Sequence, residues 1–160
     1  MRVPDSLLER DPYKFNCGGF ALGNFKWFQP IPHTASEHVY QLEVSKALDI
    51  MAGAVLSRVR GLRIIDLNNY KLKRNETIIL FRVAAPYPDF HFMILYNGRY
   101  LHKTGCDPLI YSESREDAEN PNILWCNKYH GPIIAFAKKV NWLKYRGVNE
   151  MMATRKWWIQ

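Results

Sequence analysis

The hydrophobic and polar positions follow a helical period in the first third of the chain and a strand period in much of the remainder. Within residues 34–61 the apolar side chains recur at helical spacing, Ser36 stands near the start, and Gly61 follows the last of them. This pattern predicts one long helix over residues 34–61. Its apolar stripe comprises Val39, Leu42, Ala47, Ile50, Ala54, Val55 and Val59. A short helix is also predicted from Cys17, because Asn16 is a preferred N-cap residue.

Several segments beyond residue 61 are rich in β-branched and aromatic residues, as strands are. They are residues 62–66, 77–84, 89–96, 99–105, 108–111 and 132–140. The polar and proline-containing residues 112–122 are predicted to form a loop between strands. Helices first and strands afterwards predict an α+β fold, with N-terminal helices packed on a mostly antiparallel sheet.

The dipeptide Asn-Gly at residues 97–98 lies between two strand-like segments and predicts a β-hairpin with a two-residue turn. Counting from the turn fixes the register of the facing residues. The predicted pairs are Tyr96 with Arg99, Leu95 with Tyr100, Ile94 with Leu101, Met93 with His102 and His91 with Thr104. His91 and His102 are then diagonal neighbours on one face, roughly 7–8 Å apart at Cα, so their imidazoles are able to share a hydrogen bond.

The length of 160 residues and the 48% hydrophobic content predict a single domain over residues 1–160 that folds without disulfides or metals. No apolar run is long enough to cross a bilayer, and the first residues carry proline and charge where a signal peptide is apolar. We therefore expect a cytoplasmic protein with no membrane partner. Trp157 and Trp158 are expected to pack on the domain.

The cysteines are Cys17, Cys106 and Cys126, an odd number without the spacing of a disulfide framework, so at least one free thiol is expected. A thiol becomes an effective nucleophile near neutral pH when an imidazole takes its proton and a third polar group orients that imidazole. Cys17, His91 and His102 supply these parts as nucleophile, base and orienting residue. An apparent pKa for Cys17 below the about 8.5 of a free thiol is then expected. A buried cysteine that only fills the core is the structural alternative.

Three short segments resemble the papain-like cysteine peptidase superfamily, in particular the compact bacterial and phage branch typified by NlpC/P60 domains. They are residues 16–22 (NCGGFAL), 89–92 (DFHF) and 102–105 (HKTG), all within residues 11–106. The resemblance implies a papain-like fold and a catalytic triad of the Cys-His-His type made of Cys17, His91 and His102. It implies a thiol hydrolase of amide bonds, acting as a peptidase, an amidase or a glutamine deamidase. The expected partner is a peptide, protein or peptidoglycan-type substrate, and no cofactor is predicted.

The residues around Cys17 depart from the family pattern in two respects. Gly18 and Gly19 follow the nucleophile where NlpC/P60 domains usually have Ser-x-Phe or Ser-x-Leu. Asp11 stands at the spacing of the glutamine with which papain stabilises the oxyanion. The side chain of Asn16 and the backbone N–H of Cys17 are the candidates that remain for this task.

Two other interpretations fit parts of the sequence. The net charge of +7 favours an anionic partner, so the alternative function is a non-enzymatic module that binds nucleic acid or an acidic protein. Against this alternative, the basic residues are scattered along the chain, and the sequence has no RRM, KH or OB signature. They include Arg58, Arg60, Arg63, Lys71, Lys73, Arg74, Lys138, Lys139, Lys144, Arg146, Arg155 and Lys156. A zinc site is the last alternative, although its residues lack the usual spacing of structural zinc ligands. Its ligands would be Cys106, Cys126, His102 and His130.

Overall fold

Six strands pair into one sheet within the part of the chain that the computed structural model describes, residues 6–105 and 107–153. The strands are β1 (Arg63–Ile65), β2 (Glu76–Val83), β3 (Phe90–Tyr96), β4 (Arg99–Lys103), β5 (Ile110–Ser114) and β6 (His130–Lys139). Their order across the sheet is β1-β6-β2-β3-β4-β5, and every neighbouring pair is antiparallel. The predicted α+β class and antiparallel sheet are confirmed. The predicted packing of Trp157 and Trp158 lies outside the described residues, as does Cys106.

Three of the four α-helices of the described residues precede the sheet in the sequence, and the fourth lies between β5 and β6. The helices are α1 (Cys17–Leu22), α2 (His33–Tyr40), α3 (Val44–Arg58) and α4 (Arg115–Ala118). Within residues 6–105 and 107–153, no helix is both long enough and apolar enough to span a membrane.

The prediction of one helix over residues 34–61 is wrong, because the chain leaves the helical conformation between α2 and α3. Glu43 is the N-cap of α3, with ψ near 145°, and its side chain accepts a hydrogen bond from the backbone N–H of Ser45. This cap satisfies a free N–H at the new helix start, so the helix restarts although the apolar spacing continues. Leu42, assigned to the apolar stripe, lies in the break and is exposed, and Ser36, expected at the helix start, lies inside α2.

Both faces of the central strands β2, β3 and β4 are buried. One face packs against α1 and α3 through a cluster that includes Phe81, Phe92 and Phe136. The side chains that alternate with these form a second cluster on the opposite face, where Met93 and Trp125 meet. A polar side chain on either face therefore needs a hydrogen-bond partner inside the protein.

The hairpin of β3 and β4 has the predicted register near its turn. Asn97 and Gly98 have φ values of 49° and 78°, the left-handed conformation that a two-residue turn of this kind requires. The confirmed pairs are Tyr96 with Arg99, Leu95 with Tyr100 and Ile94 with Leu101.

The prediction of a loop over residues 112–122 is wrong in its first part, because β5 extends to Ser114 and α4 follows directly. The Ser114 side chain caps α4 by accepting a hydrogen bond from the backbone N–H of Asp117. Ser-x-x-Asp is a recognised helix-start pattern, so the sequence carried a signal for this helix. The longer strand includes Glu113, whose side chain is buried.

Candidate active site

Helix α1 presents Cys17 at its first position, and Asn16 is its N-cap as predicted. The Asn16 Oδ1 accepts hydrogen bonds from the backbone N–H groups of Gly19 and Phe28, at 3.1 and 3.0 Å. Its Nδ2 donates to the Phe28 carbonyl oxygen at 2.7 Å. These bonds give the Asn16 side chain a structural role at the helix start. Its part in stabilising an oxyanion stays a prediction.

The two glycines after Cys17 are explained by the segment that crosses over α1. A Cβ atom at Gly19 would lie 1.9 Å from the carbonyl oxygen of Lys26. A Cβ atom at Gly18 would lie 2.8 Å from the side chain of Phe28. Larger residues do not fit, so this departure from the NlpC/P60 pattern follows from packing.

The thiol of Cys17 lies against the backbone of β3. Its Sγ is 3.8 Å from the carbonyl oxygen of Phe90, and the backbone N–H of Phe92 also interacts with the sulfur. Phe90 and Phe92 flank His91 in the strand. Cys17 and His91 both line a cavity of about 230 Å³, so the predicted nucleophile and base face one space.

His91 belongs to a buried chain of three polar side chains. Its Nε2 lies 2.8 Å from Nδ1 of His102, and Nε2 of His102 lies 3.1 Å from Oε1 of Glu113. The histidines are 1% and 0% exposed, and Glu113 is 5% exposed. The hydrogen bond expected between the two histidines is therefore present, and Glu113 continues the chain.

Glu113 determines which ring nitrogens carry protons. An ionised carboxylate only accepts hydrogen bonds, so the proton of His102 is assigned to Nε2 and its Nδ1 is left as an acceptor. His91 then donates from Nε2, and its own Nδ1 is the nitrogen with a free lone pair. An imidazole fixed in this tautomer is prepared to accept a proton at Nδ1.

The residues after α4 cover the histidine pair. The ring of Tyr129 stacks on His91 with centroids 5.0 Å apart and an interplanar angle of 17°. The Tyr129 hydroxyl donates to Oδ2 of Asp89 at 2.9 Å, and Lys128 forms an ion pair with the same carboxylate. Trp125 contacts His91 edge to face, with centroids 6.3 Å apart. These contacts restrict the His91 ring to one orientation.

Arg82 holds this covering segment in place. It stands opposite His91 in the β2–β3 pair and is fully buried. Its guanidinium donates to the carbonyl oxygens of Pro121, Ile123 and Gly131 at 2.7, 2.7 and 3.0 Å. Because these carbonyls belong to the segment around Trp125 and Tyr129, Arg82 fixes the aromatic cover over the histidines.

Cys126 is a second thiol beside the histidine pair. Its Sγ and one ring nitrogen from each of His91 and His102 all lie within 4.8 Å of one another. Of the zinc ligands considered from the sequence, His102 and Cys126 are thus close together. His130 instead lies 2.6 Å from the carbonyl oxygen of Ala85 through its Nε2, and Cys106 is outside the described residues.

The pKa values of the site residues differ from those expected for an activated thiol and its base. Burial raises the pKa of the Cys17 thiol to about 12, although the backbone N–H of Phe92 opposes this shift. Burial, with His102 and Lys128 nearby, holds the pKa of His91 well below its usual value of 6.5. The expectation that the Cys17 pKa lies below that of a free thiol is wrong for this closed site. At neutral pH the resting pair is a neutral thiol and a neutral imidazole.

Glu113 is the main site residue that the sequence analysis missed. It lies two residues after Tyr111, which pairs with His102, so it is a diagonal neighbour of His102 on the same face. The sequence analysis placed Glu113 in a predicted loop, and the connection between β4 and β5 over residues 104–109 is not a two-residue turn from which a register can be counted. Tyr129 and Arg82 carried no comparable local signal, because their roles depend on contacts between distant segments.

Comparison of the chain with protein-family models, curated proteins and solved structures gives no match. The functional interpretation therefore depends on the geometry of the site and on the resemblance of its short segments.

Proposed function

We propose that the protein is a cysteine-dependent hydrolase of amide bonds, with a papain-like fold of the NlpC/P60 type. The observation that carries this proposal is the buried chain from Glu113 through His102 to His91, which leaves a proton-accepting nitrogen on a residue that shares a cavity with Cys17. Buried histidines need hydrogen-bond partners in any case, so the feature that favours catalysis is the free lone pair on Nδ1 of His91 next to the cavity that Cys17 lines.

In the proposed reaction, Nδ1 of His91 takes the proton of Cys17 as Sγ attacks the carbonyl carbon of the substrate amide. The negative charge that develops on the carbonyl oxygen is stabilised by the backbone N–H of Cys17 at the start of α1. His91 then returns the proton to the leaving nitrogen, the C–N bond breaks, and an acyl group remains on sulfur. Water, deprotonated by His91, hydrolyses this thioester and restores the thiol.

His102 and Glu113 are positioning residues in this scheme. When His91 holds the proton of Cys17, it is an imidazolium that donates to His102, and the negative charge of Glu113 favours that state. A neutral resting pair suits this mechanism, because the proton transfer accompanies attack and requires no thiolate beforehand.

The cavity limits the substrate. A volume of about 230 Å³ is smaller than the roughly 300–1,000 Å³ of sites that enclose a whole small molecule. It accommodates the scissile amide and one neighbouring side chain. A glutamine side chain, an isopeptide or a short peptide end fits this size, and the rest of a larger substrate would lie outside the cavity.

The test is the capture of the acyl intermediate. Purified protein is incubated with an activated ester and with a panel of glutamine-containing peptides, then quenched, and the acylated residue is mapped by mass spectrometry. We expect one acyl group on Cys17, its loss in Cys17→Ala and its retention in the matched variant Cys126→Ala. Acylation of Cys126, or no acylation faster than that of free cysteine, would contradict the proposal. Salt-sensitive binding of an anionic partner that survives Cys17→Ala would then favour the binding-module alternative.

A further inference from the structure

The histidine pair has a third neighbour that the proposed reaction does not use. Cys126 has its Sγ within 4.8 Å of a nitrogen on each histidine, and the three residues come from β3, from β4 and from the segment that Arg82 fixes. Two imidazole nitrogens and one thiolate are the ligand types that zinc and cobalt prefer.

We propose that His91, His102 and Cys126 form a binding site for a thiophilic divalent cation such as Zn²⁺, and that a metal in this site silences His91 as a base. The metal site depends only on the arrangement of these three side chains, whereas its effect on His91 rests on the proposed hydrolase function.

The surroundings of the pair support a metal site in two ways. Glu113 accepts a hydrogen bond from Nε2 of His102, which is the carboxylate–histidine arrangement that orients the other ring nitrogen toward a metal. A cavity of about 340 Å³ is lined by Cys126, Glu113 and Met93, so one of the three ligands and the supporting carboxylate can be reached from it.

Metal binding requires a small rearrangement of the pair. Nitrogens that share a tetrahedral zinc ion lie about 3.4 Å apart, so Nε2 of His91 and Nδ1 of His102 have to separate by about 0.6 Å from their present 2.8 Å. The proton on Nε2 of His91 moves to Nδ1, and the thiol of Cys126 releases its proton to solvent. The fourth position is left for water.

The same rearrangement explains the inhibition. With Nε2 on the metal and the proton on Nδ1, His91 has no lone pair left to accept the proton of Cys17. Metal occupancy and base catalysis by His91 are therefore mutually exclusive.

The experiment uses Co²⁺ and Zn²⁺ with chelator-treated protein of the full chain. We expect uptake of one equivalent and a thiolate-to-cobalt charge-transfer absorption that persists in Cys17→Ser and Cys106→Ser but disappears in Cys126→Ser. Glu113→Gln should weaken binding by about 10- to 100-fold, as loss of such a supporting carboxylate does elsewhere.

A second readout needs no variant. In the unmodified protein, bound Zn²⁺ should protect Cys126 from alkylation while leaving the alkylation of Cys106 unchanged. Absence of equimolar uptake, a charge-transfer band that survives Cys126→Ser, or one that is lost in Cys17→Ser or Cys106→Ser would overturn the proposal. These measurements use no substrate, so they test the metal site independently of the hydrolase function.

Discussion

Replacing Glu113 by glutamine removes the negative charge at the end of the His91–His102–Glu113 chain but keeps an oxygen that accepts the hydrogen bond from His102. The variant therefore separates the charge of the carboxylate from its function as an acceptor. Charge matters because transfer of the Cys17 proton makes His91 an imidazolium. We expect Cys17 to remain in place but to become less reactive.

The magnitude follows from the geometry. The carboxylate is linked to the His91 ring through hydrogen bonds of 3.1 and 2.8 Å and the ring of His102. A separation of about 8 Å and an effective dielectric constant of about 20 give an attraction of about 2 kcal/mol. Loss of this energy destabilises the imidazolium that forms during attack and slows the reaction by about 30-fold.

The assay is the rate of Cys17 alkylation by iodoacetamide at pH 7.5, mapped by mass spectrometry. Glu113→Gln should react about 30-fold more slowly than the unmodified protein. The matched control is Glu116→Gln, which makes the same charge change at an exposed position three residues along the chain. It should change the rate by less than about twofold. A Glu113→Gln variant that folds normally and reacts at the unmodified rate would refute the role assigned to the carboxylate.

Two further predictions concern stability. Gly19→Ala should lower the free energy of unfolding by about 3 kcal/mol, because its Cβ would meet the Lys26 carbonyl oxygen at 1.9 Å. Gly53→Ala in α3, with nothing within 4 Å of the new Cβ, should raise it by about 0.5–1 kcal/mol in the same urea titration. A Gly19→Ala variant as stable as the unmodified protein would contradict the packing argument. The pKa of the buried Glu76 is lowered to about 2, mainly by the hydrogen bond from Tyr70 and to a smaller extent by those from Arg63 and the Lys73 N–H. A lowered pKa stabilises the fold above the unfolded value of about 4.3, so the stability gap between the unmodified protein and Glu76→Gln should shrink as pH falls from about 5 toward 2. A difference in the free energy of unfolding that stays constant over this range would show that the charge of Glu76 does not stabilise the fold.

The sheet and half of the site could be predicted because their signals are local. The Asn-Gly turn fixes the hairpin register, and the register alone brings His91 and His102 onto one face. The N-cap at Asn16 is likewise a local signal, and it places Cys17 at the start of α1.

The remainder depends on competition between local signals or on contacts between distant segments. Glu43 starts a new helix where the apolar period alone predicts continuation. Glu113 lies in a segment whose polar composition is typical of a loop, yet it is buried in a strand by pairing with β4. Arg82 and Tyr129 enter the site through bonds to residues roughly forty positions away, which no periodic pattern encodes.

The most direct test of the Cys17–His91 pair is the pH dependence of Cys17 alkylation in the unmodified protein and in His91→Ala. A thiolate–imidazolium pair has the same number of protons as the neutral pair. Attack in which His91 takes the proton needs a neutral imidazole and a neutral thiol, and both persist over this range because the pKa of His91 is well below 6.5 and that of Cys17 is about 12. The account predicts that this base-assisted route is faster than attack by free thiolate, so the rate in the unmodified protein should be flat from about pH 6.5 to about 9. In His91→Ala the thiolate forms only by loss of the proton to solvent, so the rate should rise about tenfold per pH unit. A rate in the unmodified protein that rises with pH as steeply as in His91→Ala would contradict the assignment of His91 as the base for Cys17.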